Sequence, residues 1–112
     1  MLSSENRLRR RTEFADVVRR GRRASRPLLT VHLLPSGQPT PPRAGLVVSK
    51  AVGGSVVRSR VSRQLRHQLR ELVPTLPTGT RLVVRAAPSA AAADSAALGR
   101  ELRAALERLI AR

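Results

Sequence analysis

The chain has 112 residues, with 22 Lys and Arg against 7 Asp and Glu, a formal net charge of +15 at pH 7 and a hydrophobic content of 41%. That length supports one modest core and excludes a second, and the apolar fraction excludes a solvated basic tail. With no cysteine and a single aromatic residue, Phe14, disulfide frameworks, thiolate metal centres, cysteine nucleophiles and a rich set of base-stacking rings are excluded as well.

The chain opens MLSSENRLRRR, with no apolar segment behind its charges. This predicts neither a signal peptide nor a membrane span, and a soluble cytoplasmic protein. Residues 1–11 read as a basic arm on a single domain of residues 1–112. Thr12 is placed to cap a short helix through Val18, with Glu13 and Asp16 near its start, Arg19 and Arg20 in its last turn and Gly21 to end it. Phe14, Val17 and Val18 share one face of that helix. The run Pro27 to Leu34 reads as a strand, Pro35 to Pro42 as a loop, and Ala44 to Ser49 as a second strand. Two strands so close in sequence are most simply an antiparallel pair.

From Ser55 to about Val73 the pattern turns helical. At about 100° per residue, Val57, Val61, Leu65, Leu69 and Leu72 form an apolar arc. Arg60, Arg63, Arg66, His67 and Arg70 lie opposite it, with Arg58 at the edge of the apolar face. Arg81 to Ala86 reads as a third strand. Asp94 or Ser95 caps a last helix whose Leu98, Leu102, Ala105, Leu106 and Leu109 form its buried stripe. The order helix, strand, strand, helix, strand, helix predicts an α+β fold: a small, mainly antiparallel sheet with helices packed on one face.

Charge is distributed unevenly. No acidic residue lies between Asp16 and Glu71, a window that holds twelve of the basic residues, all Arg except Lys50. Surface charge that serves solubility mixes both signs, so a one-sign stretch over half the chain reads as a binding footprint. The Arg face of the central helix meets no Glu at helical spacing before Glu71, and the resulting repulsion calls for an external polyanion. Nucleic acid fits best, because phosphate neutralisation yields affinity through counterion release. The apolar arc faces the sheet and leaves nothing for a membrane. Gln64 and Gln68 do not make a base-reading set for a DNA groove, so RNA recognised by shape and phosphate is the expected partner, with no DNA. No carboxylate spacing suggests a metal site, and nothing brings His32, His67 and Lys50 together as acid, base and charge stabiliser.

The segment RAGLVVSKAVGGSVVRSRVSRQLR, Arg43 to Arg66, resembles the signature of the bacterial ribonuclease P protein component, in which a strand and a glycine-containing turn lead into a helix opening with an Arg-Asn-Arg motif. NRLRRRTEF, Asn6 to Phe14, is similar to that family's opening segment. The resemblance implies a ribosomal-protein-like two-layer sandwich with a left-handed crossover. It also implies a protein that is not itself the catalyst: a large RNA subunit with bound Mg2+ would remove the 5′ leader of precursor tRNA. Ribonuclease P RNA and precursor tRNA are then the partners. By the same resemblance Arg58, Arg60, Arg63 and Arg66, with Ser49, Lys50 and the arm residues Arg9, Arg10 and Arg11, bind RNA. Phe14, Val18 and His32 fall where the family places cleft-lining, often aromatic, residues. Ser59 stands for the motif's Asn, Gly54 where Asn is usual, and Ser62 for a common Lys, while Val18 and His32 stand where rings are common. A non-catalytic ribosomal or structural RNA-binding protein on a similar fold is the alternative.

Overall fold

The computed structural model describes residues 4–110; residues 1–3 of the expected arm lie outside that range. Helix α1 runs Arg11–Arg20. Its N-cap is Arg10 and not Thr12, which lies inside the first turn, because the Glu13 carboxylate accepts the Arg10 backbone N–H at 3.3 Å and supplies the anchoring contact there. Gly21 ends the helix as expected, its N–H donating to the Val17 carbonyl at 2.8 Å. A strand follows at once: β1, Arg22–Ser25, whose sequence RRAS buries only Ala24 and so carries no apolar alternation. It forms a tight hairpin with β2, Leu29–Leu34, in the register Arg22↔Leu33 to Ser25↔Thr30.

β3 spans Arg43–Val47, α2 Ser55–Leu72, β4 Arg81–Ala86 and α3 Ser95–Ile110. The sheet order is β1-β2-β4-β3. β2 and β3 are therefore not paired; β4 lies between them, antiparallel to β2 (Leu29↔Ala86 to Leu34↔Arg81) and parallel to β3 (Arg43↔Arg81 to Val47↔Arg85). The proline-rich 35–42 loop is no hairpin turn, and a parallel pair needs a long crossover, which α2 provides. β4 takes the centre because Leu82, Val83 and Val84 are all fully buried, and consecutive apolar residues need cover on both faces. The N-terminal segment blunts the β3 edge: Leu8 N–H donates to the Ala44 carbonyl at 2.9 Å, and Asn6 Nδ2 to the Pro42 carbonyl at 2.8 Å.

Side chains alternate across the strands, which splits the core in two. On one face Val31, Leu33, Leu82 and Val84 meet Val61, Leu65 and Leu69 of α2 and Leu98, Leu102 and Leu106 of α3. α1 is not on that face, as one-sided packing would require. It crosses the other, where Val17 and Leu8 bury against Val83 with Phe14, Val18, Leu34 and Val47 around them. Ten residues of helix cannot cover a four-stranded sheet. The strip of that second face over β1, β2 and the end of β4 is left open.

Candidate nucleic-acid interface

The open strip is built by strand register. Arg23 on β1 pairs with His32 on β2, and Thr30 on β2 pairs with Arg85 on β4, so all four side chains stand on the face that α1 leaves uncovered. With Val18 of α1, Gly21 at its end, Ala86 at the end of β4 and Ala87 beyond it, they line a hollow of about 450 Å3. His32 forms its floor. The residue is only 4% exposed, and its Nδ1 is buried without a hydrogen-bond partner. Burial first, and then the guanidinium groups of Arg85 and Arg23, hold the imidazole below its ordinary pKa, so it is neutral at pH 7. Arg23 and Arg85 are exposed, and among the described residues neither has a carboxylate within ion-pair distance. The acids nearest in sequence are engaged elsewhere: for Arg23, Asp16 with Arg19, Arg20 and Arg81, and Glu13 with Arg43; for Arg85, Asp94 with the Ala97 backbone N–H.

Of the three residues expected to line a cleft, Val18 and His32 meet in this hollow. Phe14 does not. Its ring lies toward the β3 edge, over Gly45, and borders a smaller space with Leu8, Leu46 and Arg66.

The arginines of α2 divide by direction. Arg63 is exposed, beside Val56, Ser59 and Ser55 at the helix start. Arg58 and Arg66 are half-buried and line a second hollow of about 310 Å3 with Val48, Ser55, Ser59 and Ser62, between α2 and the chain that leaves β3. Arg58 Nε donates to the Gly53 carbonyl at 3.1 Å, which holds its guanidinium against the turn. Ser49 and Lys50 are exposed in that same turn, whose backbone closes through Val52 N–H to the Ser49 carbonyl and Gly53 N–H to the Lys50 carbonyl. Arg60 borders the same surface as Arg63 but is tied down: its Nη2 donates to the Ala91 carbonyl in the segment before α3, and its Nε is buried without a partner. Helical periodicity put Arg60 on the outer face, but a side chain that long bends to a carbonyl the sequence pattern does not show.

Arg9, Arg10 and Arg11 are exposed. Arg9 and Arg10 border a third hollow, of about 500 Å3, with Arg7, Arg43, Arg81, Thr12 and Glu13. The sequence reading held Arg23 and Arg43 only as part of the acid-free window, and it did not name Arg81 and Arg85 as site residues. Their signal was present in RLVVRA: Arg81, Val83 and Arg85 occupy alternate positions, which puts both cations on one face of a strand. It also missed Val56, which is 82% exposed at the head of α2.

Among the described residues, no group of three or more His, Asp or Glu side chains could hold a metal ion, and no helix is long and apolar enough to cross a membrane. Such an arrangement can hold a polyanion: three hollows are lined by cations, and of these only the third includes a carboxylate, that of Glu13.

Residues 2–110 match the sequence model of the family Ribonuclease P. The ribonuclease P protein component of Streptomyces avermitilis is 57% identical over 98% of this chain and 96% of its own length. That of Thermobifida fusca is 51% identical over 95% of this chain and 77% of its own. The fold is similar to that of the Staphylococcus aureus RNase P protein, with a TM-score of 0.80 at 19% identity over 91% of this chain and 93% of the other. It is also similar to the Thermotoga maritima RNase P protein, with a TM-score of 0.75 at 23% identity over 92% and 94%. With a family model spanning nearly its whole length and relatives more than half identical to it, the chain belongs to the ribonuclease P protein component family.

Proposed function

We propose that the protein, as the ribonuclease P subunit its family makes it, seats the single-stranded 5′ leader of precursor tRNA in the open strip beside α1 and docks on the RNA subunit through α2. Membership itself gives a role in tRNA processing and an RNA partner within the holoenzyme. The single observation that carries the finer reading is the strip: Arg23 and Arg85 stand unneutralised on an exposed sheet face around a hollow about 450 Å3 in volume. Duplex RNA is too wide and stiff to enter such a space between a helix and a strand end. A single strand can bend its backbone into it, and its phosphates supply the missing counter-charge.

Arg63 on α2 and Ser49 and Lys50 in the turn before it are exposed and suited to the phosphates of a folded RNA. The arm cations Arg9, Arg10 and Arg11 add to this coverage. Hydrolysis of the phosphodiester is assigned to the RNA subunit. In this reading Mg2+ too is bound mainly by the RNA subunit. The working compartment in this reading is the cytoplasm, and neither DNA nor a membrane is a partner.

The test is reconstitution with the cognate RNA subunit at low Mg2+, comparing a precursor that bears a leader with mature tRNA. The protein is expected to stimulate cleavage and to favour the precursor, and Arg23→Met with Arg85→Met is expected to remove that preference. A protein that binds RNA yet neither stimulates cleavage nor distinguishes precursor from product would instead be a structural RNA-binding protein.

A further inference from the structure

We infer that His32 is a specificity-determining residue of the open strip: its imidazole takes up a proton from solvent when a phosphodiester of single-stranded RNA settles between Arg23 and Arg85, and the imidazolium then becomes a third cation on that phosphate. The inference rests on the strip being the leader site.

Three observations carry it. His32 sits at the floor of the hollow, in register with Arg23 and one position diagonally from Arg85. It is nearly inaccessible to water, and its Nδ1 has no partner, so the neutral ring is held in a place that satisfies it poorly. No carboxylate shares the hollow: β1 contributes Arg23, β2 Thr30 beside His32 itself, β4 Arg85 and Ala86, α1 and its end Val18 and Gly21, and the chain beyond β4 Ala87. Every charge that faces the imidazole is positive. In the free protein, protonation would add a third positive charge to a desolvated cluster, and it is suppressed. An entering phosphodiester brings one negative charge, which offsets half of the charge of the two guanidinium groups and, set against the ring, attracts a proton to it, so binding favours the imidazolium.

The consequence is a binding equilibrium linked to one proton. Affinity for a leader is highest at low pH and falls as pH rises through the interval between the imidazole's free and bound midpoints. With a single proton exchanged, the fall is at most about tenfold per pH unit. Binding that does not fill the hollow carries no such dependence.

Two measurements test this. The ring-proton resonances of His32, assigned by their loss in His32→Phe, are followed through a pH titration of the full-length protein alone and with oligouridylate bound. The midpoint is expected to rise on binding; a midpoint that stays in place overturns the inference. Arg85→Met, a change at an exposed position, is expected to raise the midpoint in the free protein, and no movement there overturns the stated cause. In the reconstituted holoenzyme, the ratio of affinities for precursor and mature tRNA is measured from about pH 5 to about pH 8. It is expected to fall with pH in the native protein and to be flat in His32→Phe. A ratio above one that does not vary with pH refutes the role of His32 and leaves the leader site standing. A ratio of one throughout refutes the leader site itself.

Discussion

The ring of Phe14 lies directly over Gly45, so close that a β-carbon on Gly45 would fall inside the ring's van der Waals envelope. The only aromatic side chain of the protein thus fastens α1 to β3, and the bare backbone at Gly45 lets it approach. Gly45→Ala must push the ring aside or shift the strand, and overpacking of this kind costs about 1–3 kcal/mol. Urea unfolding of Gly45→Ala is expected to show that loss. Phe14→Leu combined with Gly45→Ala is expected to lose less than the sum of the two single changes, since each removes the other's clash or contact. Additive losses would mean that the two residues are not in contact.

Arg60 and Arg63 stand three residues apart on one helix and are expected to fail in opposite ways. Arg60→Met gives up the donation to the Ala91 carbonyl that ties α2 to the segment before α3, at a cost of about 1–2 kcal/mol in folding stability. Arg63 is exposed and makes no hydrogen bond or ion pair with the described residues, so Arg63→Ala should change stability by less than about 0.5 kcal/mol. It should instead weaken binding to the RNA subunit and reduce the slope of log affinity against log salt by about 1. Thermal melts and salt-dependent binding, run on both variants, separate the two roles.

Periodicity made α2, α3, β2 and β4 legible, because each carries its burial pattern in local sequence. Strand order was not legible. β1 hides in RRAS with one buried side chain, and the β3–β4 pair depends on a crossover through α2 that no local pattern encodes. The face taken by α1 follows only once α2 and α3 have filled the other. The site divides along the same line. The arginine row of α2 is a local feature and was visible, though the bend of Arg60 was not. The open strip is non-local: Val18 and His32 came from resemblance to a family, while Arg23 and Arg85 join them only through registers set across three strands.

The last helix starts at a cap that can be removed cleanly. Asp94 Oδ1 accepts the Ala97 backbone N–H at 2.8 Å, and the Asp94 carbonyl accepts Leu98 N–H at 3.1 Å. Asp94→Ala deletes the side-chain acceptor and places no charge at the helix start, which costs about 1 kcal/mol. Asp94→Asn keeps an acceptor and is expected to recover most of it. Because Asp94 is not among the residues that line the open strip, leader preference should be unchanged in both variants when they are assayed below their melting temperatures.

His32 also governs how the fold responds to acid. Its pKa is lowered in the folded protein relative to the ordinary value of 6.5, through burial and the charges of Arg85 and Arg23. Between the lowered folded value and 6.5 the unfolded chain binds more protons than the native one, so stability rises with pH through that window. The contribution is complete above 6.5, declines as pH falls through the window, and is absent once both states are protonated. Melting temperature measured against pH is therefore expected to drop on the acid side of neutrality in the native protein, before the carboxylates titrate. In His32→Phe that drop should be missing, and in Arg85→Met it should shrink, because one of the two repelling cations is gone. An equal acid-side drop in all three proteins would place the titrating group elsewhere in the fold.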